Sequence, residues 1–279
     1  MKNKMILMCG SHMRHLYIAE RLYKEDRLAA LVIEEREEFL PKPDEHLSQR
    51  DKDNFIWHFA ERDRAEKKFF GGVDRQEIIE HVPTLNVSKE TLNDAATIEF
   101  IQKSNADMLL TYGVHKVTDE VIRCMENKSF NIHGGLSPWY KGNTTLFWPF
   151  YFLKPNWAGM TIHRLSANLD GGDILHHSVP KLEYGDKMHE VACKAVVQVA
   201  EDLCAILEYL DKGAELTCSS QNGNGKLFLS RDWTPQTLRV IYELFEDKIV
   251  DMYLDGELEK SEPNLVNFFS KYKEIEDEK

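Results

Sequence analysis

The fold is decided by residues 4–33, which read KMILMCGSHMRHLYIAERLYKEDRLAALVI. An apolar run over 4–11 ends in Cys-Gly-Ser, and residues 14–24 carry apolar side chains at helical spacing. A second apolar run follows over 28–33. Strand, helix and strand at this spacing are typical of a βαβ unit, in which the two strands are parallel.

The same alternation resumes after a polar stretch, residues 34–68, that contains Phe55, Trp57 and Phe59. We expect this stretch to be an ordered insertion that packs on the core. The remaining pattern predicts an α/β fold with a doubly wound, mostly parallel sheet. The predicted elements are strands at 108–112, 129–133, 159–165 and 174–182, and helices at 91–104, 118–127 (opened by a Thr cap), 144–153 and 188–210.

The character of the chain changes near Gly213. We predict a catalytic domain over 1–215 and a small α+β C-terminal subdomain over 216–279. Within the subdomain the pattern predicts a hairpin turn at 219–225, a strand at 226–230, a helix at 234–245 and a strand at 249–255.

Composition narrows the class of protein. The formal net charge of the 279 residues is −12, which disfavours a large nucleic-acid interface because such interfaces depend on Lys and Arg. Five cysteines without a Cys-x-x-Cys pair, and histidines without a His-Glu-x-x-His motif, predict no metal site. No apolar stretch approaches the roughly 20 residues that cross a bilayer. We expect a cytoplasmic protein with no membrane partner, and a homodimer is possible.

The stretch most informative about chemistry is residues 130–142, FNIHGGLSPWYKG. Residues two apart on a strand project from the same face, so Asn131 and His133 point the same way. Two glycines end the strand directly after them. Ligands of open α/β sheets bind outside the carboxyl ends of the strands, which makes this pair a plausible site.

A second stretch, residues 159–174, reads GMTIHRLSANLDGGDI. Its predicted strand carries an inward His163, and the following loop ends at Asp170 beside two glycines. Asp170 can order a histidine, bind a water molecule or shape the turn. His163 is either catalytic or a structural hydrogen-bonding residue.

A third candidate lies where the first strand meets the first helix. Backbone N–H groups at a helix N-terminus bind anions, and Arg14 would add positive charge beside His12. The alternative is that both side chains only cap and solvate the helix. The chain lacks Gly-x-Gly-x-x-Gly, which disfavours dinucleotide binding.

Together these segments resemble the formyltransferase family that includes glycinamide ribonucleotide transformylase, methionyl-tRNA formyltransferase and the sugar N-formyltransferases. The family pattern is Asn-x-His, then Pro-x-Tyr/Phe-Arg/Lys-Gly, then Gly-x-Thr-x-His with an Asp seven residues later. Residues 131–133, 138–142 and 159–163 match these motifs, and Asp170 has the expected spacing. The resemblance covers about residues 5–210; Gly134 to Pro138 depart from the family's usual Pro-Ser-Leu-Leu-Pro.

The resemblance implies a Rossmann-like formyltransferase fold and transfer of a formyl group from 10-formyltetrahydrofolate to a primary amine. Asn131 would stabilise the oxyanion, His133 would handle the proton and Asp170 would hold His133. The amine of a nucleotide-linked amino sugar is the expected acceptor. The residues implied for the folate donor are Leu110, Tyr112, Gly113, Val114, Asn168 and Asp170, and those proposed for the acceptor are His12, Arg14, Lys141 and Asn143.

Other interpretations stay open at this point. The acceptor could be a hydroxylated amino acid such as hydroxyornithine, or methionyl-tRNA, although the tail is shorter than a tRNA-binding domain. Water could replace the amine, which would make the protein a 10-formyltetrahydrofolate hydrolase. A non-catalytic folate-binding module would have no need for all three catalytic residues.

Overall fold

The strands form two sheets, a large open α/β sheet and a small sheet of two strands. A computed structural model describes residues 2–35, 41–166, 170–221, 223 and 225–272. The large sheet contains β1 (Met5–Gly10), β2 (Leu28–Glu34), β3 (Thr84–Val87), β4 (Met108–Tyr112), β5 (Ser129–His133), β7 (Met160–Arg164) and β8 (Ile174–Ser178), and the small one contains β6 (Tyr140–Gly142) and β9 (Lys226–Phe228).

The strand order of the large sheet is β3-β2-β1-β4-β5-β7-β8. The first five strands are parallel, and β7 and β8 are antiparallel to their neighbours. The order reverses between β1 and β4, and such a reversal leaves a crevice at the carboxyl ends of these two strands. Helices of the described residues are α1 (Met13–Lys24), α2 (Gln49–Phe70), α3 (Arg75–His81), α4 (Ala95–Gln102), α5 (Asp119–Arg123), α6 (Trp148–Tyr151), α7 (Met188–Asp211) and α8 (Ile249–Asp255).

Helices cover both faces of the sheet, as the unbroken apolar strand sequences predict. All six residues of β1 are buried. Leu7 packs in the cluster that holds α1 and α7, whereas Ile6 and Met8 pack on the opposite side with Val121 of α5. This period-two division between two helix layers confirms the predicted doubly wound fold.

A third hydrophobic cluster joins the insertion, the catalytic region and the C-terminal segment. It contains Phe55 of α2, Phe147, Val191 of α7, Phe228 of β9 and Ile249 of α8. Strand β9 also pairs in parallel with β6. The predicted boundary between residues 215 and 216 therefore has packed side chains on both sides, and it stays a prediction.

Two predictions for the C-terminal segment were wrong. Residues 249–255 form helix α8, not a strand, because the buried side chains Ile249, Val250 and Tyr253 have helical spacing and Gly256 ends the helix at φ 80°. The turn at 219–225 does not close a hairpin: Ser219 bridges to Ile174, whereas β9 pairs with β6. Residues 222 and 224 lie outside the described part.

Smaller differences concern the ends and caps of elements. The helix predicted over 144–153 is reduced to the four residues of α6. Thr118 stands at the N-cap of α5 without a side-chain cap bond. Within the insertion Phe55 is buried, but Trp57 is 54% exposed and does not pack on the core. No helix in the described ranges is long and apolar enough to span a bilayer.

Candidate active site

Asn131 lies in the middle of β5, between one neighbour from β4 and one from β7. In register it is paired with Thr111 on one side and His163 on the other. The Thr111 hydroxyl donates to Asn131 Oδ1 at 2.8 Å, and Asn131 Nδ2 lies 3.2 Å from His163 Nε2. These two bonds orient the amide, so its NH₂ group is held ready to donate.

His133 ends the same strand and is 6% exposed. Its Nε2 lies 2.8 Å from the carbonyl oxygen of Tyr140. Because a carbonyl oxygen only accepts, Nε2 carries a proton. Nδ1 is therefore the titrating nitrogen, and it lies 3.4 Å from Asp170 Oδ1.

Burial lowers the pKa of His133 below its usual value, and the charge of Asp170 opposes this effect without overcoming it. The ring is consequently neutral near pH 7, and its Nδ1 can accept a proton. The carboxylate beside it would stabilise the imidazolium that results.

Asp170 stands at φ 48°, a left-handed conformation that Asp tolerates better than most residues. Its Oδ2 accepts the backbone N–H of Gly142 at 2.9 Å, and Oδ1 lies 3.7 Å from His163 Nε2. Burial alone would raise the pKa of this carboxyl, but the nearby His163 and His133 rings and the Gly142 N–H together lower it. Asp170 is therefore ionised.

His163 makes contacts that suit a positioning role. Its Nδ1 donates to the carbonyl oxygen of Arg164 at 2.8 Å, and its Nε2 lies 3.2 Å from Asn131 Nδ2 and 3.7 Å from Asp170 Oδ1. The ring is 3% exposed. It links the oriented amide of Asn131 to the carboxylate of Asp170.

A cavity of about 340 Å³ opens over these residues, and it is here called the donor cavity because residues expected to contact the folate donor line it. Asn131, His133 and Asp170 line it together with Tyr112, Gly113 and Val114. Gly113 has φ 68°, and a Cβ there would lie 2.4 Å from the His15 ring, so glycine is required. Leu110 is fully buried in the main core and does not line the cavity. Asn168 lies outside the described residues.

A second cavity of about 580 Å³ shares Tyr112, Gly113 and Gly134 with the donor cavity. Its walls come from α1, α2, α7, the segment before α6, and the C-terminal segment. Its lining side chains include Arg14, His58, Phe59, Arg62, Phe147, Met188, His189 and Trp233. The two cavities therefore meet beside His133.

The four side chains proposed for the acceptor are divided between these surfaces. Arg14 lines the second cavity but is ion-paired with Glu66 at 2.7 Å. His12 lines a third, adjoining cavity of about 760 Å³. Asn143 lines the donor cavity and donates to Ser230, whereas Lys141 on β6 lines none of these three cavities.

Several residues of the site were not anticipated from the sequence. Thr111 orients Asn131, and the signal was available as a hydroxyl in an otherwise apolar strand. Gln221 Nε2 donates to the carbonyl oxygens of Asp170 and Gly172, both at 2.7 Å, and thereby fixes the loop. Nothing in the pattern around Gln221 indicated this contact. Among the described residues no group of His, Cys, Asp or Glu side chains is arranged to hold a metal ion.

The fold and the site define a doubly wound α/β protein with an Asn, a His and an Asp at the carboxyl end of its sheet. Residues 59–202 match the model of the formyl transferase family, described as "Formyl transferase". The match covers half of the chain, and the chain belongs to this family of enzymes. The formyl donor of the family is 10-formyltetrahydrofolate.

Individual relatives are distant. The chain is 27% identical over 123 residues to the bifunctional polymyxin resistance protein ArnA of Wigglesworthia glossinidia brevipalpis, a match that covers 44% of this chain and 18% of that protein. Among solved structures it resembles phosphoribosylglycinamide formyltransferase of Anaplasma phagocytophilum at TM-score 0.55 and 14% identity, covering 82% of this chain and all of that one. A 4-N formyltransferase from Francisella tularensis gives TM-score 0.51 at 14% identity, with coverages of 82% and 78%.

Proposed function

We propose that the protein transfers the formyl group of 10-formyltetrahydrofolate to a primary amine, the amino group of a nucleotide-linked amino sugar. The observation that carries this proposal is the meeting of Asn131, His133 and Asp170 where two cavities adjoin. A transfer between two molecules needs such a junction, because both reactants must reach the same catalytic groups.

The chain's own residues supply the chemistry of the transfer. When the amine attacks the formyl carbon, the carbonyl oxygen gains negative charge, and the oriented NH₂ group of Asn131 donates to it. Nδ1 of His133 accepts the proton that the amine loses, and Asp170 stabilises the resulting imidazolium. The bond from the carrier nitrogen to the formyl carbon then breaks, and that nitrogen recovers the proton.

The donor cavity has the character that a folate ring requires. Backbone and side chains of residues 113–117 form one wall, and Leu165 adds an apolar contact. Flat heteroaromatic rings bind where backbone polar groups stand at the edge of an apolar slot. Tyr112, Gly113 and Val114 would contact the donor here, while Leu110 would act only through the core.

The second cavity is our candidate for the acceptor. All residues that line the donor cavity fall between 111 and 170, inside the span that the family model matches. The second cavity also uses Arg14, His58 and Trp233, which lie outside that span. A family that shares its donor and varies its acceptor should build the acceptor side from such variable parts.

The test is an acceptor screen with the purified protein, 10-formyltetrahydrofolate and a panel of nucleotide-linked amino sugars. We expect one member to be formylated on its amine, detected by mass spectrometry, with tetrahydrofolate released in equal amount. Formylation of hydroxyornithine or of methionyl-tRNA would refute the nucleotide-sugar acceptor and leave formyl transfer intact. Folate release at the same rate without any acceptor would indicate hydrolysis instead.

A further inference from the structure

One wall of the second cavity is formed by helix α2, which the alternation of strands and helices in the large sheet does not require. Helix α2 lies between β2 and β3, where the fold needs only a connection. Ion pairs fix it in place: Asp51 accepts both guanidinium bonds of Arg239 at 2.7 Å, and Lys68 pairs with Glu190 of α7 at 2.7 Å. The side chains that α2 presents to the cavity are therefore held in fixed positions.

Arg62 of α2 is half-buried and stands where the second cavity meets the third. Its guanidinium lies 4.7 Å from the centre of the Phe59 ring. Within the described ranges no carboxylate lies at ion-pair distance from Arg62, whereas its neighbour Arg14 is paired with Glu66. Burial lowers the pKa of Arg62, and the more distant Glu66 and Asp63 carboxylates offset this only in part, so a negatively charged ligand would offset the remaining desolvation cost.

Trp233 offers an aromatic face to the second cavity. Its indole Nε1 is buried, so a ligand in the cavity would meet the ring and not the N–H. The ring lies 6.1 Å from Phe59 and 6.2 Å from Phe147, so the three rings form an aromatic wall beside Arg62.

We propose that Arg62 and Trp233 are the acceptor's specificity-determining residues, and that they select a phosphorylated acceptor with an uncharged ring. Arg62 binds the phosphate, and the ring packs on Phe59 and Trp233. The third cavity, of about 760 Å³, has room for the part of the ligand beyond the phosphate. This inference rests on the proposed function and specifies its acceptor.

The position of Arg62 favours a phosphate group of the ligand over a carboxylate group. Arg62 faces the opening between two cavities, so a charged group there must be bonded on both sides, as a phosphodiester or diphosphate is and a terminal carboxylate is not. The guanidinium also matches phosphate oxygens in a two-bond geometry.

The experiment is calorimetric titration of the full chain with UDP, dTDP, CDP and GDP as separate probes. We expect at least one to bind the wild type, and Arg62→Gln to weaken that binding roughly 10- to 100-fold. Arg64→Gln is the matched control: Arg64 lies on the same helix, pairs with Glu61 and does not line the second cavity, so affinity should not change.

Further measurements distinguish a failure of this inference from a failure of the proposed function. Trp233→Leu removes the aromatic face, so it should raise KM for the amine acceptor about tenfold at unchanged kcat. Binding of 5-formyltetrahydrofolate should be unaffected in every variant. The inference is overturned if no nucleoside diphosphate binds the wild type, if Arg62→Gln binds as well as the wild type does, or if glutamate binds in an Arg62-dependent way instead. Failure of 5-formyltetrahydrofolate to bind the wild type would refute the proposed function itself.

Discussion

The three proposed catalytic side chains depend on partners that fix their hydrogen-bonding state. Tyr140 assigns the proton of His133 to Nε2, and Thr111 orients the amide of Asn131. Asp170 is held by the backbone N–H of Gly142. Preorganised groups of this kind can act without rearranging during the reaction.

The charge of Asp170 should be visible in the pH dependence of the reaction. Burial lowers the pKa of His133, and Asp170 raises it. Asp170→Asn keeps an oxygen for the Gly142 N–H but removes the charge, so the pKa of His133 should fall further. We expect the acid limb of the kcat/KM profile to move to lower pH and the plateau to fall by roughly 10²-fold.

A limb that stays in place or moves to higher pH in Asp170→Asn would show that His133 is not the titrating base. Asp173→Asn, a change in the same turn at a residue that does not line the donor cavity, is the control and should leave the limb unchanged.

Thr111 should act through Asn131. In Thr111→Val the shape is kept while Asn131 Oδ1 loses its donor at 2.8 Å. We expect kcat to fall by about tenfold, corresponding to one hydrogen bond of roughly 1.4 kcal/mol, with KM for the folate donor unchanged. Steady-state kinetics test this expectation. An unchanged kcat, or a rise in KM alone, would mean that Thr111 has no positioning role.

The sequence predicted that Asn131, His133 and Asp170 lie together, but it did not predict the residues that position them. Asn131, His133 and Asp170 stand in short motifs whose spacing is visible along the chain. Thr111 and Gln221 act across 20 and 51 residues of sequence, and pairings of that kind follow only from strand order and loop packing. Leu110 shows the opposite case. It lies two residues before Tyr112 on the same strand, yet its side chain is buried in the core and does not line the donor cavity.

At the scale of elements, α2 is the part that distinguishes this chain from a plain alternating sheet. A buried contact joins it to α7 and the C-terminal segment: His58 Nδ1 lies 2.8 Å from the Tyr242 hydroxyl, and the rings of His58 and His189 are 4.5 Å apart. Burial lowers the pKa of His58 to about 2 and that of His189 to about 3.

This contact predicts that the protein loses stability on acidification at a pH well above the range in which carboxylates titrate. Both histidines are neutral when folded, but in the unfolded chain they bind protons below about pH 6.5. Since the unfolded state then holds more protons, the free energy of unfolding should fall as pH drops from about 6.5, by at most ~1.4 kcal/mol per pH unit for each histidine.

Thermal unfolding between pH 7.5 and 5 measures this effect. The double variant His58→Gln/His189→Gln should be less stable at pH 7.5 and should lose less stability on acidification. Replacing the exposed His81 should leave the slope as it is. Parallel pH curves for the wild type and the double variant would contradict a buried neutral pair.

The type of an element, helix or strand, was predictable where its apolar pattern was clear, and it was less predictable where the segment is short. The parallel strands β1, β2, β4 and β5 and helix α7 agree with clear apolar patterns, whereas β3 (Thr84–Val87), which reads TLNV, was not predicted. Residues 249–255, IVDMYLD, contain three β-favouring or aromatic side chains that suggested a strand, yet packing in the third cluster places the same three, Ile249, Val250 and Tyr253, on one helical face.

At the scale of the whole molecule, the C-terminal segment and the catalytic region share one core. Phe228 and Ile249 pack with Phe55, Phe147 and Val191. A chain ending at residue 215 would expose this cluster and leave β6 without its partner β9. We expect the truncated chain to be aggregated or strongly destabilised in circular dichroism and size-exclusion chromatography.

A truncated chain that folds cooperatively and keeps the thermal midpoint of the full chain would instead support two independent domains. That outcome would favour the boundary at 215/216 as a physical division. The sequence could suggest this boundary from a change of composition, but it could not show which side chains pack across it.

The central claim is that Asn131, His133 and Asp170 pass a formyl group from the folate carrier to an amine. The most direct measurement follows isotopically labelled formyl from 10-formyltetrahydrofolate in the presence of nucleotide-linked amino sugars. We predict that label appears on the acceptor amine with the wild type, and that His133→Ala abolishes this transfer while 5-formyltetrahydrofolate still binds. Label recovered only as formate, or transfer that survives in His133→Ala, would contradict the account.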